Sequence, residues 1–274
     1  MRELIAAHPI AAFCLLAFTT GWPLITLEVV TGYAWVLSVA AFGALLGSAL
    51  VVTWAAGGRQ AVSGFMSRYL IWRWGVGRWV LVLFALPALT VAVAAASGTL
   101  RLTSHGWSYA AGTYLVETLV TGALAINLAE EGAWSGLVQT QFATRHGLFG
   151  SALRTSPLFV AIHLPLQFTP GWTWSSVTTQ VVVLLLIAPF FRYVIAESYM
   201  ATGGSLLAAG ILHASFNASG KLGFPGGWQF LPALLLLAAG VALVRRLKRR
   251  SASAPDVGVD EQPSAPRPSL TNGL

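Results

Sequence analysis

Eight apolar stretches constrain this chain more than any other feature. They lie near residues 10–30, 33–56, 79–97, 112–134, 153–168, 174–193, 204–220 and 228–244. A helix that crosses the hydrocarbon core of a membrane needs roughly 20 apolar residues. Lipid offers no partner to a backbone N–H or C=O, so such a segment must satisfy its own hydrogen bonds as a helix. The expectation is an all-α integral membrane protein with about eight transmembrane helices in one bundle. The fifth and seventh stretches are short or rich in small and polar residues, which suits the bundle interior better than lipid. Composition agrees, since only 9% of the 274 residues are charged, against roughly 25% in soluble domains.

The net charge of +7 does not read as a nucleic-acid surface, because of where the charges sit. Five basic residues crowd into 245–250, and Arg59, Arg68, Arg73 and Arg78 share one polar segment. Clusters beside membrane spans face the cytoplasm and anionic lipid. With the N-terminus inside and eight alternating spans, 14 of the 16 Lys and Arg fall on the inner side, and only Arg101 and Lys221 fall outside. Both termini are therefore expected in the cytoplasm, with a bacterial plasma membrane as the setting. Residues 60–78 mix Arg with Trp, Tyr, Phe and Ile and read as an amphipathic helix on the inner face. The N-terminal apolar run continues through "TTGWPLITLEVV" without a small-x-small cleavage site and reads as a retained first span. Cys14 is the single cysteine and reads as a small hydrophobe. The chain divides into a membrane domain, 1–250, whose core motifs lie in 112–220, and a Pro- and Ser-rich stretch, 251–274, that reads as a disordered cytoplasmic tail.

Ionisable groups inside a span cost a few kcal/mol on insertion scales, so each needs a reason. The candidates are Glu117, Glu130, Glu131, His163, Glu197 and His213, with Asn127 and Asn217 as uncharged companions. His163 and His213 each come about nine residues into an inside-to-outside span, roughly 13 Å deep at 1.5 Å per residue. Glu130 and Glu131 lie in the inner part of the fourth span and can reach the same level. Asn217 follows His213 by four residues, so the two share a helix face. Glu117 lies about 20 Å from Glu130 along the axis and belongs at the outer surface. Glu197 reads as a solvated loop carboxylate. Imidazoles and carboxylates at one level can hold a zinc ion with an open position for water. Without metal, adjacent carboxylates resist joint ionisation, which suits a general base.

Three stretches, "EEGAWSG" (130–136), "FVAIH" (159–163) and "HASFN" (213–217), resemble the EExxxR, FxxxH and HxxxN/D motifs of the CPBP family. That family comprises intramembrane proteases and bacteriocin-processing proteins similar to the type II CAAX prenyl endopeptidase. The resemblance implies an intramembrane endopeptidase acting on a membrane-associated peptide or protein, with the lipid bilayer as its medium. It implies that Glu130 activates water, that His163 and His213 bind metal or steady the oxyanion, and that Asn217 assists. Glu131 would be a metal ligand or a supporting carboxylate, so the implied zinc set is His163, His213 and Glu131. The site would open toward the cytoplasmic leaflet.

One position departs from the pattern. Ser135 stands where the motif has Arg, and Ser cannot supply the cation that pairs with a carboxylate. Arg145, Arg154 or another cation must take its place, or the site is altered and the chain is a non-catalytic scaffold or an immunity-type factor. A transporter built on a proton relay is a third reading. An HExxH zinc helix is absent, and the only aspartates, Asp256 and Asp260, lie in the tail. A serine protease pairing Ser135 with His163 would leave the glutamates, His213 and Asn217 unexplained.

Overall fold

The computed structural model describes residues 2–101, 106–225 and 227–252, so the expected tail from 253 onward lies outside the described residues. Regular structure among the described residues is helical throughout. The elements in chain order are α1 (Arg2–Ala7), α2 (Pro9–Thr31), α3 (Trp35–Leu70), α4 (Val76–Ala96), α5 (Gly106–Ile162), α6 (Trp174–Ala201), α7 (Leu206–Ser219) and α8 (Phe230–Ala252). Residues Met1–Val241 form one compact unit, and the second begins at Ala242. Within the second unit the described residues are helical and carry the basic cluster.

Six helices are long and apolar enough to cross a membrane: α2, α3, α4, α5, α6 and α8. Their starts and stops follow from local chemistry. Pro9 opens α2, where its missing N–H costs nothing. Gly32 closes it in the left-handed conformation, its N–H returning to the Glu28 carbonyl. Thr173 and Ser176 form a reciprocal capping box at the start of α6. Ser205 caps α7 by accepting from the Ala208 N–H.

Two of the long helices are broken by glycine. Gly58 in α3 (φ 64°) and Gly147 in α5 (φ 66°) adopt backbone angles that other residues avoid, and the axis changes direction at each. The 57 residues of α5 thus contain both the fourth expected span and the fifth, now two legs of one run. The fifth ends at Ile162 and is followed by a 3₁₀ segment, Leu164–Phe168.

The seventh expected span is α7, 14 residues long. At 1.5 Å per residue it is about 21 Å, too short for a hydrocarbon core of about 30 Å. Its residues from Ala208 to Ser215 are all buried, so α7 is the central helix of the bundle, as its small side chains suggested. Gly210 permits this, because a Cβ there would stand 3.0 Å from the Leu128 Cα on α5. The core around it includes Phe13, Leu86, Trp134, Ile162, Leu206 and Leu234, each almost fully buried.

Candidate active site

Glu130 and Glu131 occupy an unusual piece of helix. The α-helical turn Leu128–Glu131 lies between two stretches of wider π-helical turns, Glu117–Asn127 and Gly132–Gln139. Widened turns shift the side-chain register within one helix and recur at functional sites. Here two adjacent carboxylates face different partners. Glycine suits the position beside them, since a Cβ at 132 would fall 2.1 Å from the Tyr69 hydroxyl and 2.9 Å from Leu46 Cδ1.

Glu131 points into the core and is fully buried. Arg192 Nη1 donates to its Oε1 at 2.6 Å, and His213 Nδ1 donates to the same oxygen at 2.9 Å. Ser135 donates its hydroxyl to Oε2. Arg192 is also fully buried. It donates Nη2 to Ser135 Oγ at 2.9 Å, and both Nε and Nη2 donate to Gln139 Oε1. Its guanidinium lies 5.5 Å from the centre of the Phe159 ring. The charged pair is therefore desolvated but hydrogen-bonded on all sides, the condition under which a buried ion pair is tolerated.

Glu130 points the other way. His163 Nε2 stands 3.6 Å from its Oε1, and His213 Nδ1 stands 3.6 Å from its Oε2. Asn127 Nδ2 donates to Oε2 at 3.1 Å. Asn217, one turn beyond His213, donates to the Asn127 carbonyl oxygen at 3.4 Å. Asn217 thus reaches Glu130 through Asn127.

The end of the helix leg after Gly147 orients His163. Its Nδ1 lies 2.6 Å from the Phe159 carbonyl. A carbonyl can only accept, so Nδ1 carries the proton and Nε2 is turned toward Glu130. Trp22 donates its indole N–H to the Ala161 carbonyl, and Gln167 donates to the His163 carbonyl. These bonds satisfy acceptors that a helix end leaves unpaired. Phe159, the first residue of the FxxxH motif, packs against both histidines, with ring centres 4.5 Å from His163 and 5.9 Å from His213.

All five residues named from sequence, Glu130, Glu131, His163, His213 and Asn217, meet in this cluster. Glu117 does not join it and pairs with Lys221 at 2.6 Å. Arg192 and Glu197 correct the hydropathy reading. Arg192 stood at the inner end of the expected sixth span and Glu197 in the loop after it, yet α6 continues to Ala201 and carries both as helical residues. Arg145 and Arg154 do not fill the role of the missing motif Arg. Arg145 is exposed, and Arg154 bonds its own helix at the Gly150 carbonyl. Arg192 fills it from a different helix. The signal was present in the sequence, a lone cation inside "APFFRYVIA".

The zinc set expected from sequence does not fit this arrangement. Both Glu131 oxygens are occupied, one by a guanidinium and an imidazole and the other by Ser135. Among the described residues, no three His, Cys, Asp or Glu side chains are gathered so as to hold a metal ion.

Glu130, His163, His213 and Asn217 line a cavity of about 290 Å³. Its other walls are apolar, from Gly21 and Ile25 on α2, Leu37 and Ala41 on α3, Leu184 and Phe191 on α6, and Phe216 on α7. Opposite the cavity the cluster is closed by Trp134, Phe65 and Leu206. Residues 68–71 cover that side. Arg68 donates to the Tyr199 hydroxyl at 2.8 Å, Tyr69 donates to the Leu128 carbonyl, and Ser205 donates to the Ile71 carbonyl. Residues 65–71 are thus packed across one side of the cluster. Depth along a helix located the groups but could not show that residues 65–71 fold across them.

Residues 112–219 match the family model described as type II CAAX prenyl endopeptidase Rce1-like. The match contains every residue of the cluster and carries an intramembrane-protease kind of function with it. No curated protein matches the chain.

Proposed function

The chain belongs to the CPBP family, and from that premise we propose that it is an intramembrane endopeptidase in which Glu130 activates water. The observation that most supports this reading is the setting of Glu130. It is a carboxylate at a cavity wall, flanked by two imidazoles at 3.6 Å each, while its neighbour Glu131 is bound to a cation. A separation of 3.6 Å exceeds a direct hydrogen bond and leaves room for a bridging water.

In the proposed reaction Glu130 takes a proton from that water as its oxygen attacks the peptide carbonyl carbon. The carbonyl electron pair moves onto oxygen. The Asn217 amide, and the Nε2–H that His163 carries when protonated, stabilise the charge that develops there. Collapse breaks the C–N bond, and the leaving nitrogen takes the proton back from Glu130. Glu131 serves as an anchor, holding His213 in orientation against Arg192. The non-catalytic reading drew on the missing cation at position 135, and Arg192 removes that ground.

We further propose the topology in which this chemistry sits. Divided at Gly58 and Gly147, and with the leg after Gly58 set aside, α2 to α8 give eight legs, the number expected from hydropathy, the buried α7 being the short one. Both termini lie on the cytoplasmic side of a bacterial plasma membrane, and Arg59–Ser67 lies along its inner face.

The test is a survey of new peptide termini in membranes from cells carrying the natural protein or Glu130→Ala. Termini that appear only with the natural protein, at matched expression, are the expected result. Identical termini in both would overturn the protease reading and favour the scaffold.

A further inference from the structure

The cavity has a direction relative to the charges of the bundle. Gly21 and Ile25 lie in the second half of α2, which starts beside Arg2. Leu37 and Ala41 lie in the first turns of α3, far from its basic end at Arg59 and Arg68. Leu166 lies beyond His163, and Phe216 is near the end of α7. The walls from α2, α3, the end of α5 and α7 thus lie toward the ends of their helices remote from Arg2, Arg59, Arg68 and Arg154, while Glu130 and Phe191 stand near the middle of theirs. Arg2 donates to the Ala55 carbonyl, so the basic ends of α1 and α3 are held together. At that end the cluster is sealed by Phe65, Trp134 and Leu206 and by the bonds from Arg68, Tyr69 and Ser205. Exposure follows the same direction, since the His163 side chain retains 21% of its accessibility, whereas Glu131 and Arg192 retain none.

The chemistry of the walls is equally one-sided. The polar lining groups are Glu130, His163, His213 and Asn217, and every other lining residue is Gly, Ala, Val, Leu, Ile or Phe. A charged group seated against such walls would lose its water and find no partner. A volume of about 290 Å³ is near the low end of small-ligand pockets, which begin at roughly 300 Å³. An α-helix, about 10 Å across with its side chains, is too bulky for it, so an occupant must enter as extended chain.

We propose that Glu130 and its imidazoles are reached from the end of the bundle opposite the basic segments. Positive charge marks the cytoplasmic side, so that end is the extracytoplasmic half of the membrane. The occupant is an extended peptide with uncharged, apolar residues flanking the bond presented to Glu130. Calling this occupant a substrate rests on the endopeptidase reading, whereas the side of access does not.

The test begins with Cys14→Ala, which removes the single cysteine. Leu37→Cys then reports on the cavity, Leu166→Cys is a second reporter should the first misfold, and Ser67→Cys reports on the basic end. A membrane-impermeant maleimide is applied to intact cells and to inverted vesicles. Labelling of Leu37→Cys or Leu166→Cys in intact cells, with Ser67→Cys labelled only in inverted vesicles, is expected. Cavity cysteines labelled only in inverted vesicles, or from neither side, would overturn the proposal. No turnover enters this measurement, so a failed terminus survey leaves its result standing. Where the survey finds cleavage, the sites should lie in the outer half of the membrane between apolar residues. Cytoplasmic or charge-flanked sites would overturn the substrate class.

Discussion

Arg192 Nη1 lies 2.6 Å from Glu131 Oε1, an ion pair between two fully buried side chains 61 residues apart in sequence. The family motif has its cation one helical turn after the paired glutamates. This chain has Ser135 there and brings the cation from α6. Ser135 keeps a part in the arrangement, donating to Glu131 and accepting from Arg192.

The pair should dominate the response of stability to mutation. Arg192→Met leaves a buried carboxylate with one cationic donor removed, and breaking a buried pair in this way costs about 3–5 kcal/mol. Thermal unfolding in detergent should show a large drop. Ser135→Arg alone should also destabilise, because two guanidinium groups then compete for one carboxylate. Ser135→Arg combined with Arg192→Ser should recover part of the loss. A double variant no better than the worse single variant would refute the exchange of cation positions.

Glu130→Gln separates chemistry from folding. The amide is nearly isosteric and can keep the Asn127 contact through its carbonyl, but it cannot accept a proton from water. Cleavage should fall by about 10²–10⁴-fold, the usual worth of a general base. The melting temperature should stay close to that of the natural protein. Retained turnover would remove Glu130 from its role.

The two histidines should behave differently. His213 is 3% exposed and donates to Glu131, so His213→Ala should lower both turnover and thermal stability. The His163 ring borders the cavity, donates to the Phe159 carbonyl and stands 3.6 Å from Glu130. His163→Ala should abolish cleavage with a smaller loss of stability. Paired unfolding and cleavage assays on both variants read the difference.

Gly210→Ala tests how closely α7 packs against α5. The added methyl would meet Leu128 atoms at 2.6 and 3.0 Å, one of them the Cα. Backbone cannot move aside as a side chain can, so overpacking of about 1–3 kcal/mol is expected. Gly43→Ala, with nothing within 4 Å, is the control and should leave unfolding unchanged. Equal melting temperatures for the two variants would count against close packing at Gly210.

Much of this site was legible one helix at a time. Periodicity put Asn217 on the face of His213, and span length put both histidines and the glutamates near one level. The same reasoning kept Glu117 apart, where it now pairs with Lys221. It failed where hydropathy drew a boundary too early. Glu197 looked like a loop residue and Arg192 like the inner end of its span because a charge normally ends a span, whereas the helix continues and buries the arginine against its partner.

The sequence by itself determined the membrane-embedded helical class, the identity of the clustered residues and the asymmetry of positive charge. These depend on composition and on spacing within single helices, which lipid and helical geometry translate directly. Tertiary structure decided which cation Glu131 receives, which carboxylate faces the cavity and which end of the bundle is closed. Each of these depends on contacts between segments distant in the chain, such as Arg192 with Glu131 and Tyr69 with Leu128. Backbone bends at Gly58 and Gly147 and wide turns around Glu130 set those contacts, and no periodicity read along one helix encodes them.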